Sequence, residues 1–335
     1  MDRPPPPAPA PSSAPTPLLD RRLVIVTGKG GTGKTTIAAA LALAASRAGK
    51  RVLAAETGPD EHLARLLAPG SPPVGYLGRE LLPGLRVMRI DPFEALSEYL
   101  GLQIGAPRLV RRMLSNRAFH QLMAASPGWR ELITLGKLWH LEQMTDGQGR
   151  PSWDLIVVDA PATGHGVAFL NVPSVVASAV RSGPLRRHSQ AVEDLLKDPA
   201  RTLLLPVTLP EELPTRETTE LVKRLRDEAG IAIDRVVVNC IVPQPFPTGL
   251  AELDAALARL SPQLRCGELP SAGALTHCAS FLRGRHDLSL THIDLVGELT
   301  GLPLVHLPFL ATGVTGPDTL EILSRGLVAA EAYAR

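Results

Sequence analysis

The chain predicts an α/β fold: one doubly wound, mostly parallel sheet with a helical insert subdomain. Three observations lead there. Seven short apolar runs recur along the 335 residues, at 23–27, 51–55, 85–90, 154–158, 202–208, 234–239 and 302–307. Most are apolar throughout rather than alternating, as strands covered on both faces are. Helical patterns at 35–48, 211–228, 250–260 and 318–334 lie between the runs, and strand–helix alternation builds parallel sheets. A glycine-rich loop follows the first run and opens the first helix.

Taken in order, residues 1–20 form a leader whose first nineteen residues hold eight prolines and no apolar centre. Proline fixes φ and removes a donor, so this stretch reads as polyproline-like or disordered, and it lacks the core of a signal peptide. Residues 21–335 read as one domain. The Ala/Leu-rich stretch 35–48 has strong helix propensity and stops at Gly49. Between the third and fourth runs the alternation breaks: residues 93–145 carry Leu, Met, Phe and Trp at mixed spacings with no strand signal. Residues 165–198 look alike. The two stretches together predict a helical subdomain inserted at one edge of the sheet, and no internal repeat is visible.

Composition narrows the function classes. Hydrophobic residues make up 44%, enough for a sizeable core. Lys+Arg 35 against Asp+Glu 33 leaves a formal +2, without the basic excess of a nucleic-acid binder. Three cysteines, Cys240, Cys266 and Cys278, form no even disulfide framework, which predicts a reducing, cytoplasmic setting. No stretch reaches the roughly 18 consecutive apolar residues of a membrane span.

The chemistry sits in the loop Gly28-Lys29-Gly30-Gly31-Thr32-Gly33-Lys34-Thr35-Thr36. It satisfies G-x-x-x-x-G-K-[ST] with a strand before and a helix after, the context that the phosphate loop requires. Glycines let successive amides turn inward onto phosphate oxygens, and the helix start adds partial positive charge. Lys34 is the candidate for the β/γ-phosphates of ATP and the Thr35 hydroxyl for Mg²⁺. Asp159 ends an apolar strand at the edge where doubly wound sheets hold ligands, which predicts a second Mg²⁺-site residue; a turn aspartate is the plain alternative. Lys29 is the extra feature, since only six lysines occur in the chain.

K-G-G-x-G-K-[ST] resembles the deviant phosphate loop of the ATPases that include the nitrogenase iron protein, MinD and ParA. More specifically, Asp159-Ala160-Pro161-Ala162-Thr163-Gly164-His165 resembles the second switch of the arsenite-pump ATPase (ArsA)/Get3 family. Residues 127–137, PGWRELITLGK, resemble that family's helical signature, and 209–214, LPEELP, its post-strand loop. Residues 236–239 are similar to the strand whose Asn reads adenine, and Pro308 and Phe309 to the loop that packs on the base. The matches run from about residue 23 to about 309. The resemblance implies an ATP- and Mg²⁺-dependent homodimer in which Lys29 reaches the partner's nucleotide and Asn239, Pro308 and Phe309 hold the base. It also implies that the helical insert takes up a hydrophobic helix client or a membrane-protein partner.

The departures matter as much. The family's first switch carries a water-orienting Asp where this chain has Gly58, in the stretch Glu56-Thr57-Gly58-Pro59-Asp60-Glu61-His62. A glycine polarises no water. Glu56, Asp60 or Glu61 are the carboxylates left to substitute, with Glu56 favoured at its strand end and Glu61 read as a solvated loop residue. Slow hydrolysis, or a regulatory or scaffold protein that holds ATP without turnover, follows from Gly58. Metalloid chemistry wants clustered thiolates, and residues 93–145 and 165–198 contain no Cys. Cys266, His277, Cys278 and His286 lack a structural zinc spacing. His165, in the second switch, suits a cross-switch hydrogen bond or a helix cap. Leu100, Leu109, Met113, Leu114, Phe119, Leu122 and Met123 suit either a client groove or the insert's own core.

Overall fold

A computed structural model describes residues 17–104, 128–161, 166–244 and 272–332, with scattered positions within 110–123 and 251–259. Eight strands form one sheet in the order β3-β4-β2-β5-β1-β6-β7-β8. They are β1 Leu23–Thr27, β2 Val52–Glu56, β3 Arg79–Leu82, β4 Leu85–Arg89, β5 Leu155–Asp159, β6 Thr202–Thr208, β7 Val236–Ile241 and β8 Leu304–Pro308. Every pairing is parallel except β3 with β4. The predicted class holds.

Strands β1, β2, β5 and β6 are buried at every position, which is why their sequences are apolar runs. Alternate residues feed two cores. Val24 and Val26 face one with α1 (Lys34–Arg47), α2 (His62–Leu67) and α9 (Pro317–Ala332). Alanine fills much of α1 because that helix is pressed between sheet and α9; the Ser324 hydroxyl donates to the Ala40 carbonyl at 2.7 Å. Leu23 and Ile25 face the other core, built by α4 (Trp129–Gln143), α5 (Gly166–Ala179), α6 (Pro184–Lys197) and α7 (Glu212–Arg224). Helix α3 (Pro92–Ile104) packs beside α4, and α8 (Ala272–Thr300) beside α7.

Two elements differ from the sequence expectation. Strand β3 is an added antiparallel edge, closed onto β4 by a turn in which Gly84 takes φ +73°. Its Arg79 and Glu80 are exposed, so no apolar run marks it. Helix α8 runs for 29 residues with Gly284 inside it and stops at Gly301, which takes φ +63°, but no apolar period announces it. The helix expected at 250–260 falls largely outside the described residues, as do Leu109, Met113, Leu122, Cys266 and residues 162–165 with His165. Leu100, Leu114, Phe119 and Met123 are half-buried. Among the described residues no helix is long and apolar enough to cross a membrane.

Candidate functional site

The sheet order sets the carboxyl ends of β2, β5 and β1 side by side. Asp159 is in register with Glu56 on one side and Val26 on the other. Between β1 and α1 the loop turns back on itself: Gly28, Gly31 and Gly33 take φ of +137°, +85° and +91°. Only glycine does this cheaply. At Gly28 a Cβ would stand 2.3 Å from the Val207 carbonyl oxygen, so β6 leaves no room for a side chain. At Gly33 it would stand 2.3 Å from Asn239 Nδ2.

Side chains lock the loop from within. The buried Thr32 hydroxyl donates to the Lys29 carbonyl at 3.0 Å, and Lys34 Nζ donates to the same oxygen at 3.0 Å. Asn239 Nδ2 donates to the Thr32 carbonyl at 3.0 Å. Gly33 caps α1 without a side-chain hydrogen bond, so the first-turn amides at Lys34, Thr35 and Thr36 open toward the loop. These amides, with Gly31 and Gly33, border a cleft of about 530 Å³ that His62, Arg65, Val314 and Thr315 close from the far side. Gly30 and Gly31 are exposed at the loop's crest.

The Thr35 hydroxyl donates to Asp159 Oδ2 at 2.6 Å, while Asp159 Oδ1 is buried with no hydrogen-bond partner. Burial pushes the Asp159 carboxyl up, opposed by the Thr35 hydrogen bond and the Lys34 charge. Burial likewise pushes the Lys34 ammonium down, opposed by Asp159. An unpaired hard oxygen beside a hydroxyl is the donor chemistry that Mg²⁺ takes, with phosphate and water completing its shell. Thr35 and Asp159 therefore fit that ion. Among the described residues no group of three His, Cys, Asp or Glu side chains gathers to hold a metal.

Three expected residues carry contacts that the sequence does not show. Glu56 is buried; its Oε1 accepts from the amides of His62 at 2.8 Å and Leu63 at 3.3 Å, tying β2 to α2, and its Oε2 has no partner. Glu61 is not solvated: it accepts from the Val74 and Gly75 amides at 2.8 and 3.0 Å. Lys29 lies half-exposed with its Nζ 2.5 Å from Glu217 Oε1 on α7. Pro308 and Phe309 sit at the exposed carboxyl end of β8, where the Phe309 amide donates to the Ile241 carbonyl. His62, Arg65, Thr315 and Glu217 join the site without any sequence motif. Thr57 joins it too, its hydroxyl donating to the Asp159 carbonyl at 2.8 Å.

Desolvation pushes the Glu56 carboxyl up to about 7. The folded chain therefore binds this proton more tightly than the unfolded chain. Its stability is greatest below the ordinary carboxylate value near 4.5 and declines as pH rises toward 7. Glu56→Gln keeps the Oε1 acceptor and cannot ionise. Without nucleotide, the variant is expected to melt with the parent at pH 5 and above it at pH 8, by roughly 2 kcal/mol. Thermal midpoints at the two pH values check this; an offset independent of pH would rule out a titrating Glu56.

Strand, phosphate-cradling loop and helix in this order, with the strand-end Asp159 against Thr35, place the chain among the P-loop nucleoside triphosphatases. The family model for anion-transporting ATPases matches residues 21–187 and 185–248, and the chain belongs to that family. The resemblance read from residues 159–165 is thus borne out. ATPase BagA of Mycobacterium tuberculosis is 32% identical over 317 residues, covering 90% of this chain and 91% of that protein. An arsenical pump-driving ATPase of Escherichia coli is 28% identical, over 65% of this chain and 39% of its own length. An ATPase ASNA1 homologue of Entamoeba dispar is 26% identical, over 66% of this chain and 76% of its own.

Proposed function

We propose that this chain is a cytoplasmic, homodimeric switch that binds Mg²⁺-ATP and hydrolyses it slowly. The observation that carries the reading is the Thr35–Asp159 pair at 2.6 Å with its orphaned Asp159 Oδ1, directly below the loop that ends in Lys34. Lys34 and the first amides of α1 would neutralise and orient the β/γ-phosphates. Thr35 and Asp159 would hold magnesium, whose charge polarises the phosphate oxygens. Asn239, packed on the loop, with Pro308 and Phe309 would border the base. Lys29 would leave Glu217 for the partner protomer's nucleotide, and the helical insert would answer the nucleotide state by taking or releasing a hydrophobic helix or a membrane-protein partner.

Water positioning is the weak step, because both available strand-end groups are compromised. Gly58 has no side chain, and Glu56 spends one oxygen on backbone amides. That favours slow turnover and supports a second reading, a regulatory protein gated by bound ATP. A Cβ at Gly58 would meet nothing within 4 Å, so an aspartate fits there.

Steady-state hydrolysis of Mg²⁺-ATP, with light scattering to follow dimerisation, separates the readings. Slow turnover in the parent, a rise of at least tenfold in Gly58→Asp and loss of ATP-dependent dimerisation in Lys29→Ala are the expected results. Tight binding with no turnover in either the parent or Gly58→Asp would select the regulatory reading. No ATP binding would sink both.

A further inference from the structure

Charge is distributed unevenly along this nearly neutral chain. Between Glu98 and Glu131 lie 32 residues with five arginines and no acidic residue. Between Asp159 and Glu193 lie 33 more, with three arginines and again no acidic residue. Eight arginines unopposed in these two stretches leave the rest of the chain at a formal −6 for the total of +2. The fold brings the ends of the two stretches together, since α3 packs on α4, and α4 and α5 both pack on α6.

Five of these arginines are outside and unmatched among the described residues. Arg112, Arg117, Arg181, Arg186 and Arg187 are all exposed, and none has an acidic partner among the described residues. Arg186 folds back to donate to the carbonyls of Val180 and Arg181 at 3.1 and 3.3 Å, which lays its guanidinium on the turn that also carries Arg181 and Arg187. That turn opens α6, where the helix dipole is itself positive and repels cations. Nearly two turns further along, Glu193 is already paired with Lys197 at 2.5 Å. Among the described residues no carboxylate pairs with these guanidinium groups to offset the local cost.

Apolar side chains share the same lip. Leu102 is 68% and Leu185 46% exposed, and both border one cleft of about 190 Å³ between α3, α4 and α6. Val175, on the helix before the arginine turn, is 61% exposed. Arginine over leucine is the pattern of a protein surface lying at the boundary of headgroup and acyl chain. A nucleic-acid backbone would use the arginines but has no place for the leucines.

We infer that the α5–α6 turn and the neighbouring lip of α3 dock on an anionic phospholipid bilayer surface. The guanidinium groups of Arg181, Arg186 and Arg187 meet lipid phosphates, while Leu102 and Leu185 enter the acyl boundary. The contact is peripheral and requires no membrane-spanning helix. It stands independently of the nucleotide reading, because none of these residues lies at the phosphate loop.

Co-sedimentation of the full chain with vesicles tests it. Vesicles of phosphatidylcholine alone are compared with vesicles carrying about a third phosphatidylglycerol, at low and moderately high salt. Binding is expected to the anionic vesicles only, falling at least tenfold when salt is raised. Substituting Arg181, Arg186 and Arg187 together by Ala should weaken it at least tenfold, and Leu102→Ser with Leu185→Ser severalfold. Unchanged ATP binding and unchanged thermal midpoints show the variants folded. Equal binding to both vesicle types, no binding to either, or anionic-vesicle binding unchanged in the triple variant would each overturn the inference. So would retention on duplex DNA without retention on vesicles, which would make the arginine turn a nucleic-acid contact.

Discussion

Lys34→Ala is expected to lower ATP turnover at least a hundredfold while leaving thermal stability equal or slightly higher. The two effects share one cause. Lys34 is buried at the start of α1, and burial already pushes its ammonium toward the neutral form. Keeping a charge there costs folding energy, and alanine is the better residue for a helix. The same low-dielectric surroundings make the ammonium effective on phosphate charge, where losing one preorganised donor typically costs about a hundred- to a thousandfold. Lys29 is no substitute, because its ammonium lies on Glu217. Turnover and melting measured on one preparation check both halves. A variant that hydrolyses normally, or one that unfolds, would contradict the placement of Lys34.

Gly28→Ala is expected to be the most destabilising single change in the loop. Its φ of +137° is strained for any L side chain, and the added Cβ meets the Val207 carbonyl oxygen at 2.3 Å. That oxygen belongs to a buried strand in mid-sheet, so it cannot move aside as a flexible side chain would. Backbone strain of this kind costs about 1–3 kcal/mol, and the overlap adds to it. The melting temperature should fall by roughly 3–6 °C, with loss of nucleotide affinity as the loop shifts off β6. Gly31→Ala is the matched control: φ is also positive, yet the Cβ would meet nothing within 4 Å. Its loss should be much the smaller, and equal losses at the two positions would refute the packing argument.

Reading from sequence worked where one chemical pattern had one structural solution. The run 23–27 and the run 202–208 coincide with β1 and β6, because a buried parallel strand must be apolar at every position. The loop from Gly28 to Thr36 was recognisable because positive φ and phosphate contact both select glycine. Asp159 could be placed because its strand ends beside β1. Partners distant in sequence could not be. Nothing in the order of residues ties Asn239 to Thr32 across 207 positions, or Lys29 to Glu217 across 188. Glu56 at a strand end looked free for chemistry, and only the return of α2 over it supplies the amides that occupy one oxygen. Strand β3 was missed because an exposed edge strand needs no apolar run.

The Lys29–Glu217 contact changes how closure of the homodimer proposed above should be counted. An ammonium neutralises one anion at a time, so a lysine that crosses to a neighbouring protomer must first abandon the carboxylate it already holds at 2.5 Å. Closure of the proposed dimer would then be an exchange of partners, driven by the difference between a phosphate and Glu217 rather than by the whole of a new ion pair. What remains behind is a carboxylate whose second oxygen is buried without a partner. In the proposed dimer, the bond broken in each protomer would set a threshold that bound nucleotide has to exceed before two copies stay together.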